Sequence, residues 1–477
     1  MGQRSAWFII RGFFEAGSLL TNALSPLLKP RHPQLRHIAV IPLLISHHRL
    51  LSCLCLLASV PVLAKRPIPP TPSDAIRPKV VAYFGQWGVY DHFFVKNLVT
   101  GGAAQHLDQL NYAQGFVTGG HCSVADPNAD LNMAFSAADS VTGVADNPAH
   151  PFRGNLHQLA DLKRRYPKLR ILLSLEGQAR DFAADAQPAA REAFVRSCVN
   201  LFVRGHLAPG VEAPRLFDGI DVDWEYPHGD DAANFVALLT DLRREMNAVR
   251  PGLLLTIAAG PSPRMYSGVD LPAVDRLVDQ VGLMNYDYNG PWNQHTGFLA
   301  PLYTEDGRGG SVDRSIHEWE AAGIPGGKLL LGIPFYGYGW QGVATAENGF
   351  WQAGHPIRGD RPYPFFRDLM TPETTHTNGI SQTPPGSESA AAPAIPLHTA
   401  ASPKAARPFI LYRDPHSKAP WLFDGSTFWT YEDPTSTRTK ARFARDEHLG
   451  GIMAWELSED SADSALLHAA FLGLYGR

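Results

Sequence analysis

The sequence predicts an α/β protein, a (β/α)8 TIM barrel carrying a small α+β insertion domain. Three observations lead there. Eight short apolar runs recur along the chain, amphipathic patterns separate several of them, and reactive side chains cluster where the runs end. Near-continuous apolar strands alternating with helices imply parallel strands covered by helices. Eight such units favour a closed barrel over a doubly wound sheet, and a barrel carries its chemistry at the C-terminal ends of its strands.

The first 64 residues stand apart. Arg49 precedes an apolar run from Leu50 to Leu63, which ends in Val62-Leu63-Ala64. A basic start, an apolar stretch of this length and a small-residue end read as a secretory leader, with cleavage expected after Ala64. The run is too short for a spanning helix; an uncleaved anchor is the alternative. Residues 1–48 are long for a leader's basic start and read as an over-called translation start. Residues 65–78, with "RPIPPTPSDAIRP", form a proline-rich spacer before the catalytic barrel at 79–477.

Composition narrows the function. The net charge is −4, so nothing points to nucleic acid. Residues 1–64 hold six of the 42 bases and one of the 46 acids, which leaves 36 against 45, or −9, after cleavage. An acidic surface suits an exported or periplasmic protein with a neutral or basic partner. Cys122 and Cys198 remain after the leader; one disulfide and two buried free thiols are both open. No metal site is indicated, no cofactor is called for, no membrane contact is expected after cleavage, and the chain is expected to act as a monomer.

The strands follow in order. "KVVAYFGQW" (79–87), "LDQLNYAQGFV" (107–117), "LRILLSLEG" (169–177) and "LFDGIDVDWEY" (216–226) are the first four. "LLLTIAAG" (253–260), "QVGLMNYDYNG" (280–290), "KLLLGIPFYGYGW" (328–340) and "GGIMAWELSED" (450–460) complete the set. Between them, residues 234–250 place Phe235, Leu238, Leu239, Leu242 and Met246 on one helical face. More than a hundred residues part the last two strands, too many for one helix, so an insertion is expected over 337–428. Its segment 375–408 is rich in Ser, Ala, Pro and Thr and reads as a flexible loop.

The fourth strand carries Asp221, Asp223 and Glu225 at alternate positions, with Asp218 just before. Alternation puts the three on one face, about 6.5 Å apart along the strand. In a barrel that face is the interior, with Glu225 at the rim, Asp223 below it and Asp221 deeper. Ionised carboxylates stacked this way repel, so a shared proton and at least one raised pKa are expected. A carboxyl kept protonated near neutrality is what a general acid needs. The bland reading, acids facing solvent or paired with bases, fits poorly with flanking Trp224 and Tyr226.

Asp218-Gly-Ile-Asp221-Val-Asp223-Trp-Glu225 resembles the D-G-x-D-x-D-x-E signature of glycoside hydrolase family 18, the chitinases. The resemblance runs from Lys79 to Gly476. "YFGQWG", "NYAQGFV", "GLMNYDYNG" and "GIPFYGYGW" are similar to that family's first, second, sixth and seventh strands. "NGFWQAG", "PFFRDL" and the stretch from Ala419 into strand eight are similar to its insertion and return. The resemblance implies roles. Glu225 protonates the glycosidic oxygen, and the substrate's own 2-acetamido oxygen replaces an enzyme nucleophile. Asp223 orients the acetamido group, and Asp221 shares a proton with Asp223. Tyr286 binds the acetamido carbonyl, Asp287 the distorted sugar, and Met284 lines the pocket. Trp455 is a stacking floor, and Tyr83, Trp87 and Tyr226 are further contacts. Tyr83 and Met284 read equally as packing residues, Trp87 as a barrel cap and Trp455 as core.

One place departs from that pattern. The family's third strand ends S-x-G-G, often followed by Trp; here it reads Ser174-Leu175-Glu176-Gly177-Gln178. Glu176 adds an acid beside the stack. The leading expectation is a secreted chitinase acting on chitin or N-acetylglucosamine oligosaccharides. The alternatives are an endo-β-N-acetylglucosaminidase acting on glycans and a non-catalytic, lectin-like chitin binder.

Overall fold

The computed structural model describes residues 77–304, 309–357, 364–370, 374–376 and 408–476. The leader, the spacer up to residue 76 and residues 377–407 of the insertion loop lie outside them. Eight parallel strands close on themselves: β1 (Lys79–Gly85), β2 (Gln109–Thr118), β3 (Arg170–Glu176), β4 (Gly219–Asp223), β5 (Leu254–Ala259), β6 (Gln280–Leu283), β7 (Leu329–Pro334) and β8 (Gly451–Trp455). Each strand pairs with the next, and β8 pairs back onto β1. Every apolar run contributes one strand, but the strands are shorter than the runs. Glu225, Tyr286 and Asp287 therefore lie just past strand ends, at the mouth.

Both faces of the strands are buried, which is why the runs are apolar almost throughout. Val80, Ala82 and Phe84 of β1 face the surrounding helices. Val81 and Tyr83 face inward with Leu330 of β7 and Met453 of β8. The helix Ala232–Val249 buries Phe235, Leu238, Leu239, Leu242 and Met246, the face its periodicity marks. Two residues of the acidic motif serve this framework. Gly219 opens β4 because a β-carbon there would sit 2.0 Å from the Leu254 carbonyl oxygen. Asp218 is buried, accepts from the Ile171 amide at 3.0 Å and from Lys163 Nζ at 2.6 Å, and lies near Arg170 and Arg250. It braces β4 against β3 and takes no part in the stack.

Between β7 and β8 the chain builds a six-stranded sheet from Tyr338–Gln341, His355–Pro356, Thr374–His376, Phe409–Arg413, Pro420–Phe423 and Phe428–Thr430. The run 328–340 thus divides between the barrel and this sheet. One apolar cluster joins the barrel interior through Tyr286, Tyr336 and Tyr338 to Trp340, Trp421 and Phe428 of the sheet.

A hairpin not read from the sequence follows β2, whose end pairs antiparallel with His121–Val124. Cys122 of that hairpin is disulfide-bonded to Cys198, at the end of the helix Arg191–Cys198. The bond closes a loop of 76 residues. Replacing both cysteines with Ala is expected to cost about 2–4 kcal/mol in urea unfolding, because the unfolded chain regains the freedom the loop removes.

Candidate active site

The barrel interior is unusually polar near β4. Asp221 is buried and accepts three hydroxyl bonds: Tyr83 of β1 at 2.6 Å, Ser174 of β3 at 2.9 Å and Thr256 of β5 at 2.5 Å. These donors come from three strands and lock its carboxylate. Burial pushes its pKa up, while the three donors pull it back.

Asp223 lies one layer higher and is also buried. Among the described residues its Oδ1 has no hydrogen-bond partner. Its pKa is pushed well above the carboxylate range, first by burial and then by the charges of Glu225, Glu176 and Asp221. Glu225 follows the strand end and is exposed in the mouth. The alternation reading therefore holds for Asp221 and Asp223 within the strand, and Glu225 is carried onward to face solvent. Tyr226, half-buried beside it, packs edge-on against Tyr266 with centroids 5.7 Å apart. Burial and the Glu225 charge hold the Tyr226 hydroxyl protonated.

The chain after β6 supplies the wall two strands round from β4. Tyr286 is buried, and burial followed by the charge of Asp223 pushes its hydroxyl upward, so it stays a donor. Asp287 adopts a left-handed backbone (φ 61°), which a short polar side chain tolerates. Its Oδ1 accepts from the Tyr336 hydroxyl at 2.6 Å, and the Tyr336 ring stands edge-on to Tyr286 at 6.0 Å. Tyr336, just past β7, is the partner of Asp287 that the sequence pattern did not mark. Met284 is half-buried and packs with the same inner cluster.

Trp455 ends β8 and is half-exposed. Its ring lies 5.1 Å from Tyr83 and 6.3 Å from Trp87, so the three rings form one aromatic patch. The Phe335 amide donates to the Trp455 carbonyl at 2.7 Å. The next residue, Glu456, is buried and accepts from the Gly85 amide at 3.3 Å, tying the end of β8 to the end of β1. Sequence reasoning missed Ser174 and Thr256 as supports of Asp221, and the exposed rings of Trp292 and Trp351.

The arrangement is thus an exposed carboxyl above two buried ones, a protonated phenol beside them, and a partly exposed aromatic patch. It can deliver a proton at the mouth, hold a polar group between Asp223 and Tyr286, and stack a flat apolar face on Trp455.

Comparison with known proteins finds relatives over most of this chain. Chitinase C of Streptomyces lividans is 32% identical over 400 residues, covering 80% of this chain and 57% of that protein. The chain spans less than two thirds of the curated relatives it matches first. Among solved structures, the catalytic domain of the psychrophilic chitinase B from Arthrobacter TAD20 superposes with a TM-score of 0.71 at 28% identity, covering 85% of this chain and 97% of that one. A glycoside hydrolase family 18 N-acetylglucosaminidase from Paenibacillus barengoltzii gives 0.60 at 28% identity, covering 83% and 99%. The model of glycosyl hydrolases family 18 matches residues 79–460, a span that takes in all eight strands and every site residue above. The chain belongs to glycosyl hydrolases family 18.

Proposed function

We propose that the protein is a chitinase that hydrolyses β-1,4-linked N-acetylglucosamine polymers with retention, the substrate supplying its own nucleophile. The observation that carries this reading is the exposed Glu225 above buried Asp223, with the Tyr286 hydroxyl at the same mouth. Glu225 donates its proton to the glycosidic oxygen as the bond to the anomeric carbon breaks. The 2-acetamido oxygen closes on that carbon and forms an oxazolinium ion. Asp223 accepts the acetamido N–H and offsets the developing positive charge. Tyr286 donates to the acetamido carbonyl oxygen and fixes the attacking geometry. Glu225, now a carboxylate, takes a proton from water, which opens the oxazolinium ion. This departs from the two-carboxylate scheme, in which the enzyme supplies the nucleophile.

Trp455 is the floor for the sugar at the cleaved bond, with Tyr83 and Trp87 beside it. Asp287, Met284 and Tyr226 are the remaining contacts. The names of the relatives support chitin as the substrate. Export belongs to the same reading: the leader pattern motivates it, and the Cys122–Cys198 disulfide suits an oxidising compartment.

A second reading, an N-acetylglucosaminidase on other glycans, draws on the Paenibacillus neighbour. Parallel turnover assays separate the two. Chitotetraose is expected to be cleaved and a high-mannose N-glycan left intact; cleavage of the glycan alone overturns the chitinase reading.

A further inference from the structure

Glu176 is the acid that this mechanism leaves unused. It ends β3 and pairs in register with Asp223 of β4, just as Ser174 pairs with Asp221. Neighbouring strands lie about 5 Å apart, and in-register neighbours point to the same face. The bond from Ser174 to Asp221 marks that face as the interior. Glu176, two residues further on, enters the same space as Asp223.

Hydrogen bonds divide these acids unequally. Asp221 already holds the hydroxyls of Tyr83, Ser174 and Thr256. Among the described residues, Glu176 Oε1 and Asp223 Oδ1 are both buried without a hydrogen-bond partner. Two adjacent carboxyls, each with a bare buried oxygen, are satisfied together by one proton, the O–H of one donating to the other. The proton-sharing role implied for Asp221 fits Glu176 better, because the oxygens of Asp221 are occupied.

We propose that Glu176 is a positioning residue that holds a proton against Asp223 and delays the loss of the general acid's proton at alkaline pH. The proposal rests on the chitinase reading above. The groups around Glu176 act in one direction. On β2 its in-register neighbour is Phe116, which does not titrate. On β4 and its exit stand Asp221, Asp223 and Glu225, and the phenols of Tyr83, Tyr226 and Tyr286 border the same carboxyls. Burial, then the charges of Glu225 and Asp221, pushes the Glu176 carboxyl up to about 8.

Like charges tighten each other's hold on protons. Once Glu176 ionises, its charge strengthens the hold of Glu225 on its proton; a neutral side chain at 176 removes that help. The alkaline limb of kcat/KM reports the acid of the free enzyme. In Glu176→Gln that limb is expected to fall by about half to one pH unit on chitotetraose. Glu176→Ala is expected to show the same fall. It should also lose about tenfold more kcat at pH 6 than the Gln variant, whose amide still donates toward Asp223. A merely structural role changes melting temperature without moving the limb, and a limb unmoved in both variants overturns the proposal. Should the Gln variant not fold, Glu176→Gly, which takes up less space, carries the same measurement. If the wild type cleaves nothing, the chitinase reading fails separately. Carbon-13 NMR of the glutamate carboxyls then decides the proton directly. A carbon lost in the Glu176 variant and titrating above pH 7 supports the proposal; one titrating below pH 7 overturns it.

Discussion

Glu225→Gln is expected to lower turnover of chitotetraose about a thousandfold while leaving oligosaccharide binding in place. A positioned general acid contributes roughly two to four powers of ten, because an unprotonated sugar alkoxide is a poor leaving group. The amide of Gln has nearly the same shape but no proton of useful acidity. Glu225 is exposed past the end of β4, so the exchange touches little of the core. The loss should fall on kcat, with KM close to wild type, since the contact is made as charge develops on the leaving oxygen. Product chromatography reads the turnover. Quenching of the partly exposed Trp87 and Trp455 reads binding. Turnover equal to wild type removes Glu225 from the acid's role. Retained binding with wild-type protein that never cleaves favours a lectin.

The barrel was legible because its strands are buried on both faces and leave unbroken apolar runs, as in "LLLTIAAG". The acid stack was legible because alternation along one strand is a local rule, and it placed Asp221 and Asp223 on one face. What stayed hidden depends on pairs far apart in sequence. Asp218 read as a fourth like charge until Lys163, 55 residues away, was found holding it. Ser174 and Thr256 meet Asp221 only through the registers of β3 and β5 on β4, and no single strand's pattern sets those. The bond from Tyr336 to Asp287 likewise joins the exits of β7 and β6. The disulfide needed the hairpin at His121–Val124, a short excursion without an apolar run of its own.

Asp223→Asn is expected to cut kcat about a hundredfold and, at neutral pH, to make the protein more stable. The catalytic loss follows from charge. The oxazolinium ion is positive where the carboxylate of Asp223 would face it, and a preorganised opposite charge in a buried site is worth about two to three powers of ten. The stability gain follows from the cost of keeping that buried carboxyl protonated in the resting protein. Asp223 is buried, its Oδ1 lacks a partner among the described residues, and Glu225, Glu176 and Asp221 crowd it. A carboxyl whose folded-state pKa is raised costs stability wherever the unfolded chain would ionise it, above about pH 3.9. The cost grows as pH rises from there toward the folded-state value. The amide carries no such cost, so the variant should unfold at a higher urea concentration than the wild type at pH 7. Below about pH 3.5 both states bind the proton and the gain should vanish. Urea unfolding at pH 7 and pH 3.5 reads the difference. An equal gain at both values would assign it to packing, and a loss at pH 7 would overturn the cost assigned to the buried carboxyl. The predicted pattern places Asp223 among the groups this fold holds at a cost, because the ionised form that meets the cation is the one the empty site resists.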